Sequence, residues 1–263
     1  MKISIITVCY NSENTIEETI KSVISQNHQN IIEYILIDGG STDKTMKIVE
    51  KYKENFSMIV SEKDSGISDA FNKGIKLATG DIIGLINSDD KLYEGAIEHI
   101  KNSFEPEVDV YYGDKIVIDN IVTSRSYQKA DMLENIKYSL PFCHQSCFIS
   151  KNCYEKFGLY SMNYKCCMDF DLILKMYRGN ARFKYISYPL CEFSLGGASD
   201  SFKTMQEVYN ISTEHGLPKI NASLYFLKCL VRSTTKIILT KFQLLDIARK
   251  LRNKSNVNYN TKY

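Results

Sequence analysis

Two apolar periodicities alternate along the first hundred residues of this chain. Ile3–Cys9 is a continuous strand-like run. Asn14 and Glu17 have the spacing of a capping box, and Ile16, Ile20, Val23 and Ile24 line one face of the helix it would open. A second strand, Glu33–Ile37, ends at Asp38-Gly39-Gly40-Ser41, and a helix carrying Met46, Ile48 and Val49 is expected from near Thr42. Phe56–Val60 predicts a third strand. Ser65 is placed to cap a helix through Ala78, with Gly80 as its stop. Asp81–Ile86 is a fourth strand pattern, and a helix near Glu94–Asn102 follows. Such alternation predicts parallel βαβ units with right-handed crossovers, an α/β fold.

After Pro106 the pattern changes. Val108–Tyr112 and Lys115–Ile118 predict strands, Asp119-Asn120 a turn, and Ile121–Tyr127 a returning strand, so a mixed sheet extends the parallel one. Asp169–Tyr177 predicts a helix, Arg182–Tyr188 a strand, Gly196-Gly197-Ala198-Ser199 a flexible loop, and Ser201–His215 a helix. Residues 219–252 read as helices in which Leu224, Leu227, Leu230 and Val231 alternate with Lys228, Arg232 and Lys236. Asn256–Tyr263 is expected to be disordered.

Charge sharpens this division. The net charge is only +2, but residues 219–263 carry ten Lys or Arg and one acid, Asp246, whereas the preceding 218 residues hold 23 basic and 30 acidic residues. An acidic body with a basic, apolar tail suggests that the tail meets an anionic membrane surface; the alternative is a terminal helix packed on the body with solvated lysines. No run of apolar residues is long enough to span a bilayer, and Met1–Ile6 lacks the layout of a signal peptide. The expected location is therefore cytoplasmic, on the inner face of the plasma membrane. Eight cysteines make no CxxC pair. Cys143, Cys147, Cys166 and Cys167, near His144, could bind zinc, but their irregular spacing favours buried free thiols. No nucleic-acid-binding motif accompanies the basic tail.

Asn87-Ser88-Asp89-Asp90 carries the most chemistry. Two adjacent carboxylates follow a buried strand, where open α/β sheets bind ligands, and hard oxygen ligands there suit Mg2+ or Mn2+ bridging to substrate phosphates. A plain turn, with Ser88 or Asp90 capping the next helix, is the alternative.

Four segments occur in order at successive strand ends: Thr7-Val8-Cys9-Tyr10-Asn11, Asp38-Gly39-Gly40-Ser41-Thr42-Asp43, Glu62–Gly74 and Asn87-Ser88-Asp89-Asp90. This order closely resembles the family 2 glycosyltransferases, inverting enzymes of the GT-A fold, and most of all those that assemble bacterial capsule, exopolysaccharide or O-antigen units. The likeness covers about residues 1–200. It implies a Rossmann-like mixed sheet flanked by helices over residues 1–215, with a nucleotide-binding half (1–105) and an acceptor-binding half (106–215). The basic helical tail, 216–263, lies outside it.

The resemblance also implies roles. Thr7, Tyr10 and Asn11 would lie by the nucleotide, and Asp38 would accept a hydrogen bond from the base. Asp64 would flank the nucleotide, with Asp69, Asn72 and Lys73 on the helix after it; Lys73 could face a phosphate or be solvated. Of Asp89 and Asp90, one would address the ribose or sugar and one the metal, with Asp90 favoured for the metal. Met168-Asp169-Phe170-Asp171 resembles the family's acidic segment before a helix, with Met168 in place of the first acid. Asp169 aligns with the general base, a role that could coexist with capping the helix. His144 and Gln145 would lie near the donor pyrophosphate and the acceptor, and Lys165 could serve the acceptor. The implied partners are a nucleotide-diphospho-sugar donor, UDP-linked by preference, and a lipid-linked saccharide acceptor. Two other readings are a nucleotidyltransferase, although Tyr10-Asn11-Ser12-Glu13-Asn14 has neither the Gly nor the Lys such an enzyme needs for a triphosphate, and a non-catalytic sugar-nucleotide or glycan-binding module.

Overall fold

The structure, a computed structural model, describes residues 1–26, 31–119, 124–195 and 202–241. Four parallel strands, β1 (Ile3–Cys9), β2 (Ile32–Asp38), β3 (Met58–Ser61) and β4 (Ile82–Asn87), lie in the order β3-β2-β1-β4. The chain therefore winds outward from β1 and then restarts on its other side. Cys9 pairs with Asp38, Val8 with Asn87, and Asp38 with Ser61, so the four carboxyl ends open along one edge. The strand order reverses between β1 and β4, which leaves a crevice at that edge.

The sheet continues through β5 (Lys91–Leu92), β6 (Val110–Asp119), β7 (Ser124–Gln128), β8 (Cys147–Ser150) and β9 (Phe183–Ser194), in the order β4-β8-β6-β9-β5 with β7 paired to β6. β8 runs antiparallel to both β4 and β6, whereas β6 and β9 are parallel. The helices are α1 (Ile16–Ile24), α2 (Thr45–Glu50), α3 (Ile67–Leu77), α4 (Ala96–Asn102), α5 (Lys151–Phe157), α6 (Met168–Arg178), α7 (Phe202–Glu214) and α8 (Lys219–Lys241).

Helices cover both faces of the sheet, which explains the unbroken apolar strands. Ile3, Ile5, Tyr34 and Leu36 share one core with Ile16 and Ile20 of α1, Val49 of α2 and Ile97 and Ile100 of α4. Ile6, Val8, Ile35 and Ile37 share the other with Phe71 and Ile75 of α3, Phe157 of α5 and Ile173 and Met176 of α6. Gly74 lets α3 close on β1: a Cβ there would lie 2.4 Å from Ile6.

Three expected helix starts are corrected. Asn14 and Glu17 form no capping box: α1 begins at Ile16 without a side-chain cap, and Glu17 instead accepts a hydrogen bond from the Tyr52 hydroxyl at 2.7 Å. α2 begins at Thr45 rather than near Thr42, because Asn11 Oδ1 holds Thr42 N and Glu13 Oε2 holds Lys44 N in the loop. Ser65 does not cap α3. Gly66 occupies that position at φ 113, with Asp64 accepting from Gly66 N and Asp69 from Ser65 N. At α1 and α2 a tertiary partner outcompetes the local cap, whereas at α3 the neighbouring carboxylates Asp64 and Asp69 take the N–H groups of Gly66 and Ser65.

The two strands expected either side of Gly113-Asp114 are one strand, β6. The residues between them form an irregularity opposite Pro189, which has no N–H to give to the ladder. β9 runs past Tyr188 to Ser194. The 121–123 part of the returning strand, the Gly196–Ser199 loop and residues 242–263 lie outside the described residues. Among the described residues, no helix is long and apolar enough to cross a membrane.

Candidate functional site

A cavity of about 630 Å3 occupies the crevice between the ends of β1 and β4. Tyr10, Asn11, Ser12, Asp64, Gly66, Asn87, Ser88 and Asp89 line it. Three of the four sequence segments thus meet there. Tyr10 is 63 % exposed and offers a ring at the rim. Asn11 adopts φ 48 and ties the first loop to the second: its N–H donates to Ser41 Oγ, and its Oδ1 accepts from Thr42 N, both at 2.8 Å.

The second segment acts from beneath. Asp38 is fully buried, and its carboxylate accepts from the Ser41 and Ser61 hydroxyls and from Ser41 N. Gly39 makes room for Asp64, whose Oδ2 would lie 2.6 Å from a Cβ at that position. Gly39 thus answers to the close approach of Asp64, and Gly40 to its backbone, at φ 84. Thr7 is also fully buried and shares a hydrogen bond with the Tyr34 hydroxyl. Asp69 and Lys73 do not line the cavity: Lys73 Nζ pairs with Glu62 at 2.8 Å and with Asp69 at 3.3 Å along α3. Asn72 is buried, exchanging hydrogen bonds with the backbone of Tyr160.

The Asn87–Asp90 segment is held on three sides. Thr19 Oγ1 donates to the carbonyls of Ser88 and Asp90, and Ser12 and Ser88 share a hydroxyl hydrogen bond at 2.7 Å. Ser194, at the end of β9, donates its N–H to Asp90 Oδ1 and its hydroxyl to the Asp89 carbonyl, each at 3.0 Å. No helix cap is made here, since Asp90 leads directly into β5. Asp89 is exposed toward the cavity, whereas Asp90 is 2 % exposed. Burial, followed by the neighbouring Asp89 charge, pushes the Asp90 carboxyl up to about 7. Asn87 Oδ1 is buried with no hydrogen-bond partner among the described residues.

Two carboxylates and an orphaned amide oxygen fit a hard divalent cation. Such an ion would relieve both the raised Asp90 and the unsatisfied Asn87 oxygen. Among the described residues no three His, Cys, Asp or Glu side chains gather to hold a metal by themselves. The remaining ligands would have to be phosphate oxygens or water, as is usual for Mg2+.

Asp169 lies in the first turn of α6, half-buried, with Oδ1 accepting from Phe170 N at 2.8 Å. It does not cap the helix, whose preceding residue is Cys167. His144 is buried, with Nε2 2.8 Å from the Tyr160 hydroxyl. Burial lowers its pKa, and the Asp169 charge opposes that shift, so the two groups are electrostatic neighbours. Gln145 Oε1 accepts from the Cys143 thiol. Cys143, Cys147 and Cys167 are buried free thiols.

Three contacts from α7 around Asp169 were not legible in the sequence. Glu207 accepts the backbone N–H groups of Lys165, Cys166 and Cys167 at 3.1, 2.8 and 3.0 Å. Glu214 accepts from Tyr164, and His215, just past α7, lies 2.9 Å from Asp171. No local pattern signals these pairings, nor that of Ser194 with Asp90, which spans 104 residues.

The sequence pattern of Glycosyl transferase family 2 matches residues 4–158, more than half of the chain. The chain belongs to that family. It is a nucleotide-sugar-dependent glycosyltransferase with the GT-A fold. A PGL/p-HBAD biosynthesis glycosyltransferase of Mycobacterium tuberculosis is 29% identical over 178 residues, covering 64% of this chain and 68% of the relative. Among solved structures, the mannosyltransferase PcManGT of Pyrobaculum calidifontis with GDP-Man and Mn2+ superposes with a TM-score of 0.66 at 17% identity, covering 97% of this chain and 79% of that one. TarS of S. aureus with UDP-GlcNAc gives 0.64 at 19% identity, covering 88% of this chain and 72% of that one. At these identities the structures speak for the fold alone.

Proposed function

We propose that this glycosyltransferase moves a sugar from a nucleoside diphosphate donor, UDP-linked by preference, to a lipid-linked saccharide during assembly of a bacterial surface polysaccharide, inverting the anomeric centre. The observation that carries this reading is the strand-end cavity with Asp89 open to it and the orphaned Asn87 oxygen behind. Tyr10 and Asn11 would hold the nucleoside, with Asp64 beside it. Asp38 would act indirectly, fixing the Gly39–Asp43 loop, and Thr7 would support the floor. Asp69 and Lys73 would brace the start of α3. We assign Asp89 as the residue that meets Mn2+ or Mg2+, with Asp90 as a second ligand or its support. Because Asp90 is buried, this reverses the preference between the two. When bound, the metal would offset the charge of the departing diphosphate.

Asp169 would take the acceptor hydroxyl proton as that oxygen attacks the anomeric carbon, in a single displacement. His144 is held neutral by burial and would orient groups between the two carboxylate centres rather than pair with a phosphate charge; Gln145 would order the same turn. Replacing Asp169 by Asn should lower transfer by roughly 10²-fold or more while donor affinity stays within about twofold. Retention of most activity would remove the base assignment.

The tail supports the lipid-linked acceptor. On α8, Ile220, Leu224, Leu227, Val231 and Ile238 are all more than half exposed and fall on one helical face. The opposite face packs on the body through Ala222, through Tyr225 stacked on Tyr138, and through Phe226 against Phe202 and Tyr209. The two readings of the tail are therefore compatible. One face packs, and the other is free to enter the interface of an anionic membrane. On this reading the enzyme works on the cytoplasmic side of the plasma membrane.

A further inference from the structure

A second cavity, of about 380 Å3, opens beside β6 and has no part in the donor site described above. Three cations reach it from three separate places in the chain: Lys115 on β6, Lys129 just past β7, and Arg232 on α8. None of the three is in an ion pair among the described residues. Lys115 lies over the ring of Phe193 at 5.1 Å, and its charge acts on Asp90. The one carboxylate in the lining, Asp131, is already engaged, accepting from Met132 N at 2.8 Å and from Asn135 Nδ2 at 3.0 Å. The cleft lining therefore carries three cations against one carboxylate, an excess of positive charge.

Apolar side chains, those of Leu140, Pro141 and Phe142, also line the cleft. Cys143 completes it, and the next residue is His144, the neighbour of Asp169. The cleft thus lies between the Asp90 carboxyl, a neighbour of Lys115 and Cys143, and the His144–Asp169 pair, while sharing no lining residue with the first cavity. Arg232 comes from the same helix that turns Leu224, Leu227 and Val231 outward to solvent. Cations and apolar side chains in one cleft, beside an apolar helix face, suit a ligand that joins phosphate to hydrocarbon.

We propose that this cleft binds the phosphate or diphosphate of the lipid-linked acceptor, with Lys129 and Arg232 as its principal contacts. The proposal rests on the transferase reading and specifies how that enzyme holds its second substrate. A point charge from Lys129 and a planar fork from Arg232 would fix the phosphate end, leaving the attached sugar to reach toward Asp169.

The test uses the whole chain with the donor side filled by a saturating nucleoside diphosphate and Mn2+. Geranyl diphosphate is then titrated calorimetrically. Binding that persists in the presence of nucleotide is expected, weakened about tenfold or more in the double variant Lys129→Glu/Arg232→Glu, with nucleotide affinity unchanged. Neutral geraniol should not compete. Displacement of geranyl diphosphate by the nucleotide, or equal binding by the double variant, would overturn the proposal. So would competition by phosphatidylglycerol vesicles with the same charge dependence, which would reassign the cleft to membrane headgroups. A protein that binds nucleotide but no geranyl diphosphate loses the acceptor cleft and keeps the transferase reading, whereas one that binds no nucleoside diphosphate loses the transferase reading itself.

Discussion

Buried carboxylates do most of the organising at the residue scale. Asp38 and Glu33 both lie on β2, Asp38 fully buried and Glu33 nearly so. Glu33 binds Lys2 Nζ at 2.8 Å, Ser4 Oγ at 2.5 Å, and Thr79 N and Oγ1 at 2.7 and 2.6 Å, joining β1 and β2 to the turn before β4. Burial opposes its ionisation, but these donors outweigh it and hold the carboxyl at about 2. A carboxyl depressed on folding contributes stability that is complete above its unfolded value, near 4.5, and is lost as pH falls toward 2. Glu33→Gln should therefore cost about 2 kcal/mol at neutral pH, and the gap to the native protein should narrow on acidification. Urea melts at pH 7 and pH 3 would measure both, and a gap that stays constant would show that Glu33 acts through shape alone. Asp38 is the harder case to read from sequence. A strand-end Asp before Gly-Gly looks like a ligand contact, and only the positions of Ser41 and Ser61 reveal that its oxygens are already taken.

At the scale of elements, α7 and α8 carry what the sequence concealed. α7 grips the segment leading into α6, with three successive backbone N–H groups converging on Glu207. Where the family resemblance expected an acid at Met168, the nearby carboxylate comes from another helix. Glu207→Ala would leave buried donors unpaired, costing about 3 kcal/mol, and should lower turnover with little change in donor affinity. Glu207→Asp should recover part of both. Loss of stability without loss of turnover at a temperature where the variant is folded would limit Glu207 to a structural role. For α8, Leu224→Asp with Leu227→Asp should leave the melting temperature nearly unchanged, because both side chains face solvent, yet abolish sedimentation with anionic vesicles. Vesicle binding that survives the pair would move the membrane contact elsewhere.

Over the whole molecule, the alternating first half was legible because β1, β2 and β4 are buried on both faces and the helices between them on one, so periodicity and burial coincide. The cavity was legible for the same reason: β1 to β4 end together, and Tyr10, Asn11, Asp64 and Asp89 sit a few residues past those ends. What escaped depends on contacts made far along the chain. The bulge at Gly113–Lys115, the extension of β9 to Ser194 and the α7 clamp each answer to a partner tens of residues away. The central claim is that strand-end carboxylates and a metal together receive a nucleoside diphosphate. Calorimetric titration of UDP, GDP, dTDP and CDP, each with and without Mn2+, tests it most directly. The account predicts metal-dependent binding of one of them, UDP by preference, lost in the Asp89→Asn/Asp90→Asn double variant. Absence of binding by all four with Mn2+ present and the protein folded would contradict it.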